Sequence, residues 1–435
     1  MALTPGYKQT EVGVIPEEWD CGAIESLIPP HQKYGIVDGP FGSNLKSIHY
    51  RRSGIPIVSS GYVTNGVFRA NDYLFVDEEK FQQEIRSAVK GGDIVMAKIG
   101  ARCGASAILP ASHPLSILSG NALKITIDET QHSTFYVWQV LRDLYERGQL
   151  AQIRTTGAQP AISLASLKRL RIPLPPKHEQ EAIAEALRDA DALVEALEQL
   201  VAKKRLIKRG VMQELLTGKR RLAGFSGEWK TKPLGELFDF SGGFSASRDQ
   251  LSAVGYCYLH YGDIHGSRKT FIDVRSEYAE IPKLDIPLSR ISRTSLLEDG
   301  DVVFVDASED DEGTSRHIVI INPNRTPFIS GLHTIVAKAK TLELDHGYRR
   351  YCFQTSDVKR QFKFFAVGTK VSGISKTNIA KVLLPVPDLP EQTAIAVILS
   401  DMDAEIAELE ERLAKARLLK QGMMQELLTG RIRLL

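Results

Sequence analysis

The segment GVMQELLTGKRRL, beginning at Gly210, returns almost unchanged as GMMQELLTGRIRL, beginning at Gly422. Shifted by 212 residues, Pro173–Leu222 aligns with Pro385–Leu434 without a gap, and 28 of the 50 positions are identical. Shared helix propensity alone does not give identity at that density. Any fold must therefore use this segment twice. Weaker likeness flanks the block. ILSGNALKI around Gly120 resembles FISGLHTIV around Gly331, and GDIVMAKIG at Gly92 resembles GDVVFVDAS at Gly300. GVIPEEW, ending at Trp19, resembles GFSGEW, ending at Trp229. The offset drifts between 208 and 212, so short insertions separate two related halves. The order is variable domain, strong repeat, variable domain, strong repeat, with boundaries expected at 1–172, 173–222, 223–384 and 385–435.

Each strong repeat reads as one long helix. Prolines at 173, 175 and 176, and at 385, 387 and 390, keep the chain extended before helix entry. Roughly 38 residues without proline follow, from Glu179 to Leu216 and again from Glu391, which is about 57 Å of helix at 1.5 Å per residue. Gly218 and Gly430 are natural stops, while Gly210 and Gly422 sit inside the run and permit a local adjustment or a close contact. Apolar residues fall at Ile183, Leu187, Ala190, Val194, Leu197 and Val201, and at Ile395, Leu399, Met402, Ile406, Leu409 and Leu413. Steps of four and three are a heptad seam. The two helices are expected to pair antiparallel as a coiled coil, with the chain ends close together. The alternative is that each helix packs on its own domain. The basic run AKKRLIKRG is read as a solvated or partner-docking face, with phosphate contact as the sharper alternative. Glu214 and Glu426 are read as solvated or capping.

Composition removes several classes. The chain has 435 residues, 43% hydrophobic and 25% charged, so each half can bury a core. A net charge of +2 means that any basic surface is local. Cys21, Cys103, Cys257 and Cys352 have no paired spacing and read as reduced thiols without a disulfide or zinc role. No apolar run approaches 18 residues and the N-terminus lacks a signal-peptide pattern, so a cytoplasmic protein is expected.

The variable domains alternate strand-like runs with Gly- and Pro-rich turns, giving a mixed α/β class. Strands are expected at GIPIVSSGYV, GDIVMAKIG, ASAILP and ALKITI, and at CYLHYGDI, GDVVFVDA, RHIVII and HTIVAKA. A helix over STFYVWQVLRDLYERGQL turns Trp138, Leu141, Leu144 and Tyr145 inward, and another lies near HGYRRYCFQ. Catalytic signatures are missing: no GxGxxG, P-loop, GxSxG or HExxH. NPNR at Asn322 lacks the second proline and aromatic of an adenine-methylase motif, and SEDDEG near Glu309 reads as an acidic surface turn. What remains is polar, glycine-containing loops: DGPFGSNLK and RTTGAQPAIS in the first domain, FSGGFSASR and VGTKVSGISK in the second. Their residue types contact phosphates and base edges, although solvated turns look the same.

Taken together, KQTEVGVIPEEW, GPFGSNLKS, RTTGAQPAIS, PLPPKHEQEAIAEAL and MQELLTGKRRL resemble the DNA-specificity subunit of type I restriction–modification systems. So do SGGFSASRD, GISKTNIAKVLLPVPDLPEQTAIAVIL and MQELLTGRIRL in the second half. The resemblance implies two similar α/β target-recognition domains separated by two long antiparallel helices in a pseudo-twofold circular arrangement. It implies no active site, metal or cofactor on this chain. It also implies a split double-stranded DNA target and two copies of a methylation subunit that uses S-adenosylmethionine to modify adenine. In restricting systems, subunits that use ATP and Mg join as well. By motif match it implies DNA contact at Gly39, Phe41, Gly42, Ser43, Thr155, Thr156, Gly157 and Gln159 of the first domain. In the second the matches are Gly243, Ser245, Gly368, Lys370, Ser372 and Ser375; VGTKVSG is a residue longer than TGAQPA, which leaves that loop's equivalence open. Two other readings stand beside this one: the specificity subunit of a combined restriction-methylation enzyme, and a coiled-coil scaffold whose α/β domains bind proteins.

Overall fold

The computed structural model describes residues 5–434 apart from 65, 156–158, 268, 309–315 and 369–370. It divides into two units, Met1–Leu197 with Arg412–Leu435, and Glu198–Glu411. In the first unit an antiparallel sheet runs in the order Ser106–Ile108, Ile94–Ala97, Ala122–Ile125, Ile36–Asp38. A second sheet holds Ile55–Val58 parallel to Ser116–Leu118. The helix Thr134–Glu146 covers the first sheet, with Trp138 and Leu141 buried and Leu144 half-buried against the core. The second unit repeats this plan. Its sheet runs Phe238–Gly242, Thr334–Ala339, Val302–Val305, His317–Ile321, with Phe271–Asp273 added at the far edge. Its second sheet holds Tyr256–Leu259 parallel to Phe328–Ser330, and its covering helix is His346–Cys352.

The long helices span Lys177–Leu215 and Leu389–Leu427, each crossing from one unit into the other. Within each unit the halves pair antiparallel. In the first, Lys420 meets Asp191; in the second, Lys208 meets Asp403 and Lys204 meets Glu405 at 2.5 Å. Ile183 and Leu187 join Met424 and Leu427 in the first unit's core, and Ile395 and Leu399 join Met212 and Leu215 in the second's. So the seam holds, but its ends also merge into the domain cores. Ala190, Val194 and Met402 are only half-buried. Three of the five basic residues of the run pair across the seam: Lys204, Arg205 and Lys208 face acids of the opposite helix, while Lys203 and Arg209 are exposed. Gly218 and Gly430 end the helices at φ 69° and 71°, where a side chain is disfavoured.

Identical repeat residues make contacts at corresponding positions, which explains their retention. Gln180 accepts from the N–H of Ser133 and Gln392 from that of Asp345. Ser133 and Asp345 are the N-caps of the two covering helices. Asp191 accepts from Gln139, and Asp403 from Tyr351. Buried Glu179 accepts from the Trp19 indole at 2.9 Å and from two nitrogens of Arg433 at 2.6 and 2.9 Å. Buried Glu391 accepts from the Trp229 indole at 2.9 Å and from two nitrogens of Arg221 at 2.6 and 2.7 Å. Those hydrogen bonds raise the affinity of both guanidinium groups for their protons. Because Arg433 follows the last helix and Trp19 precedes the sheets of the first domain, this joint brings the two ends of the chain close together. The Tyr7 hydroxyl adds a bond to the Gly430 carbonyl at 3.0 Å.

Two strand expectations are corrected. GIPIVSSGYV is broken by a helical turn at Ser60–Tyr62 between the strands Ile55–Val58 and Val63–Thr64. CYLHYGDI is a strand only to Leu259; Tyr261–His265 is a helical turn. His260 caps it by accepting from the Gly262 N–H, and Asp263 reaches back to the His260 N–H. This reciprocal cap outweighs the alternating aromatic pattern. NPNR is a locked turn, with the Asn322 side chain bonded to Leu297 and Thr326. SEDDEG lies largely outside the described residues. No described helix is long and apolar enough to cross a membrane.

Candidate functional site

In each unit the polar loops singled out from sequence converge at one end of the main sheet. In the first, Gly39 follows the strand Ile36–Asp38 and donates its N–H to Ala122 at 3.0 Å. A Cβ there would sit 2.0 Å from the Ser119 carbonyl, so only glycine fits. Pro40 and Phe41 then lie over Gly120. Phe41 is 44% exposed and covers the Lys98 ammonium, 4.2 Å from the ring centroid. The RTTGAQPAIS loop closes where Thr155 donates its N–H to Ala161 at 2.8 Å and its hydroxyl accepts from the Ala161 N–H. Pro160 accepts from the Gly100 N–H, so this loop packs against the segment leaving Ile94–Ala97.

The second unit builds the same end. A Cβ on Gly243 would sit 1.7 Å from the Gly331 carbonyl, and Phe244 donates its N–H to Ser330 at 2.7 Å. The buried Tyr258 hydroxyl donates to Phe244 and accepts from Ala246 and Leu332, tying the loop down from below. Ser245 is exposed. Val367 and Gly373 exchange backbone bonds, and the bond from the Val367 N–H to Gly373 matches that from the Thr155 N–H to Ala161 at an offset of 212. The two loops therefore have the same number of residues between these anchors. Gly368, at φ 139°, is close to the Val371 carbonyl, and Ser372 pairs with Ser308. The Ser375 hydroxyl accepts from the Asn378 N–H as a helix cap, as Ser163 does for Ser166. Thr156, Gly157, Lys370 and the Ser43 side chain lie outside the described residues.

No group of three His, Cys, Asp or Glu residues able to hold a metal occurs among the described residues. All four cysteines are free thiols. Residues 43–205 and 226–417 each match the family described as the type I restriction modification DNA specificity domain. The chain belongs to that family. Two Methanocaldococcus jannaschii proteins whose names describe type I restriction enzyme specificity subunits, MjaX and MjaVIII, are 24% and 23% identical to it. The alignments cover 98% and 96% of this chain, and 96% and 94% of theirs. The fold is also that of a crystallised type I restriction–modification S subunit from M. genitalium, with a TM-score of 0.56 at 16% identity over 98% of this chain and 99% of that one. Family members are specificity subunits, the non-catalytic component of such systems.

Within this specificity-subunit frame, sequence reasoning missed the residues at the floor of each loop cluster. Lys98 donates its N–H to Asn121, and Asp306 donates its N–H to His333. Lys98 accepts at its carbonyl from Ile162, and Asp306 from Ile374. These positions correspond through the offsets 208 and 212 already visible in the repeats. Lys98 is 14% exposed and pairs with Asp38 at 2.5 Å. Asp306 is 34% exposed, with the His333 ring 3.4 Å from its Oδ1. Burial pushes the Asp306 carboxyl above its ordinary value, and His333 partly offsets this. His333 itself adopts φ 60°, a conformation few non-glycine residues take.

Proposed function

We propose that this chain is the sequence-specific DNA-binding subunit of a type I restriction–modification complex, reading an asymmetric, split target. In this reading 1–172 and 223–384 are target-recognition domains, and 173–222 and 385–435 are spacers. The observation that carries it is the contrast inside one frame: two loop clusters on the same scaffold, closed by the same backbone bonds, present different side chains. Different heads on matched supports suit two different half-sites. The candidate DNA contacts are Gly39, Phe41, Gly42, Ser43, Thr155, Thr156, Gly157 and Gln159, with Gly243, Ser245, Gly368, Lys370, Ser372 and Ser375.

The spacers supply the docking surface for two copies of one methylation subunit. Leu206 and Ile207 are exposed, and so are their repeat partners Leu418 and Leu419. Gly210 and Gly422, one turn further on, would have no heavy atom within 4 Å of an added Cβ. A helix-interior glycine costs up to about 1 kcal/mol relative to alanine. Its retention at both copies beside exposed leucines fits the close approach of a partner backbone. Two like patches fit two like partners. S-adenosylmethionine belongs to those partners, ATP and Mg to any restriction subunits, and the complex works in the cytoplasm. The test is to map methylated adenines across a genome expressing the complex, with and without this gene. Loss of one split motif is expected; an unchanged methylome overturns the reading.

A further inference from the structure

One position in the loop cluster carries opposite chemistry in the two domains. It is framed by backbone bonds that recur in both: Lys98 to Asn121 and Ile162, Asp306 to His333 and Ile374. The neighbouring strand contributes Asp38 in the first domain, opposite Leu123, and Gly242 in the second, opposite Ile335. In the first domain, then, the carboxylate of Asp38 lies below and is consumed by Lys98, with Arg86 also at 3.5 Å. What faces outward is the exposed carboxamide of Asn121. Its Oδ1 already accepts from the Ser119 hydroxyl at 2.5 Å and the Ser60 N–H at 3.4 Å. That leaves Nδ2, a pure donor.

In the second domain the order is reversed. Glycine at 242 removes the lower carboxylate, and a carboxylate appears above it at Asp306. The Lys376 ammonium reaches to 3.2 Å from where a Gly242 Cβ would stand and adds positive potential near Asp306. His333 stands over the carboxylate, half exposed, edge-on to the Tyr261 ring at 5.5 Å between centroids. Asp306 Oδ1 has no hydrogen bond among the described residues. The side chain is a third exposed although Oδ1 is shielded beside the strained histidine, so it is through the exposed part of the carboxylate that a donor from outside can reach it.

We propose that this position is a base-reading slot with reversed polarity in the two domains. The first presents a donor, the Asn121 carboxamide nitrogen, to a base whose major-groove edge offers acceptors, as guanine does. The second presents the Asp306 acceptor to a base bearing an exocyclic amino group, cytosine or adenine. The proposal rests on the DNA-reading function above. In the major groove the four base pairs differ in just this donor and acceptor pattern, and a carboxylate repels the acceptor edges of guanine and thymine.

The experiment is methylome mapping with the methylation subunits and either the wild-type chain or one of four variants: Asp306→Ala, Asp306→Asn, His333→Asn and Asn121→Asp. Asparagine is used at 333 because it tolerates that backbone conformation. Asp306→Ala should relax one base position in one half of the motif, cutting discrimination there roughly 10- to 100-fold. The other half should be unchanged. Asp306→Asn and His333→Asn should weaken the same position, and Asn121→Asp should alter one position in the other half. The slot is overturned if every base preference survives in variants that still methylate. It is equally overturned if both Asp306 variants fold but lose methylation evenly across all targets. If the wild-type chain directs no split motif at all, the underlying function fails instead.

Discussion

The joint at Glu179 and the joint at Glu391 are copies, down to the indole and the two guanidinium nitrogens that each carboxylate receives. The floors of the two loop clusters share a frame and nothing else: Lys98 over Asp38 in one, Asp306 over Gly242 in the other. Both regions descend from the same duplication. Sameness was kept where the chain must hold helix to domain, and difference accumulated where two heads meet two surroundings.

The largest effect is expected at the joints. Glu179→Ala and Glu391→Ala each strip a buried carboxylate, 0% and 2% exposed at the side chain, from a guanidinium and an indole. Breaking such a pair costs about 3 kcal/mol, the low end of the usual range, because each guanidinium retains access to water. Urea unfolding followed by circular dichroism should give matching losses for the two variants. A difference above about 2 kcal/mol would mean that the joints are not equivalent, since one truncation removes the same contacts as the other.

Next come the glycines beneath the loops. Gly39→Ala and Gly243→Ala drive a Cβ to 2.0 and 1.7 Å from backbone carbonyls. Each should cost about 1–3 kcal/mol as the loop is pushed off the sheet. Gly210→Ala and Gly422→Ala have open space instead and should stabilise the isolated chain by up to about 1 kcal/mol each. The same pair should weaken capture of the methylation subunit, read by co-purification of the complex. Gain of stability with undiminished capture would remove the glycines from the docking surface.

Much of this was legible in the sequence, for a physical reason. A repeat shows its constraints directly: Glu179, Gln180, Asp191, Lys208, Gly218 and Arg221 are identical to residues 212 further on. Helix propensity alone does not require those identities, and all of them turn out to be contacts or caps. The heptad steps gave the helix pairing because burial there is local and periodic. The floor of the clusters was hidden because it is made by long-range backbone pairing. Nothing near Lys98 in sequence says that it lies under Asn121, and in one domain its charge is opposite. The turn at Tyr261 was misread because a histidine cap has no apolar signature.

The smallest expected effect is a pH dependence that belongs to one domain's slot. Burial raises the folded-state pKa of Asp306 above its ordinary value. Between the two values the folded chain holds a proton that the unfolded chain has released. Stability contributed at this site therefore falls as pH rises through that window and is constant above it. Asp306→Asn removes the titration. The stability of Asp306→Asn minus that of wild type, from urea midpoints between about pH 3.5 and 7, should climb with pH and then level off. A flat difference for Asp306→Asn would mean that its carboxylate is already satisfied in the folded chain. The reversed polarity of the two slots would then lose its energetic basis.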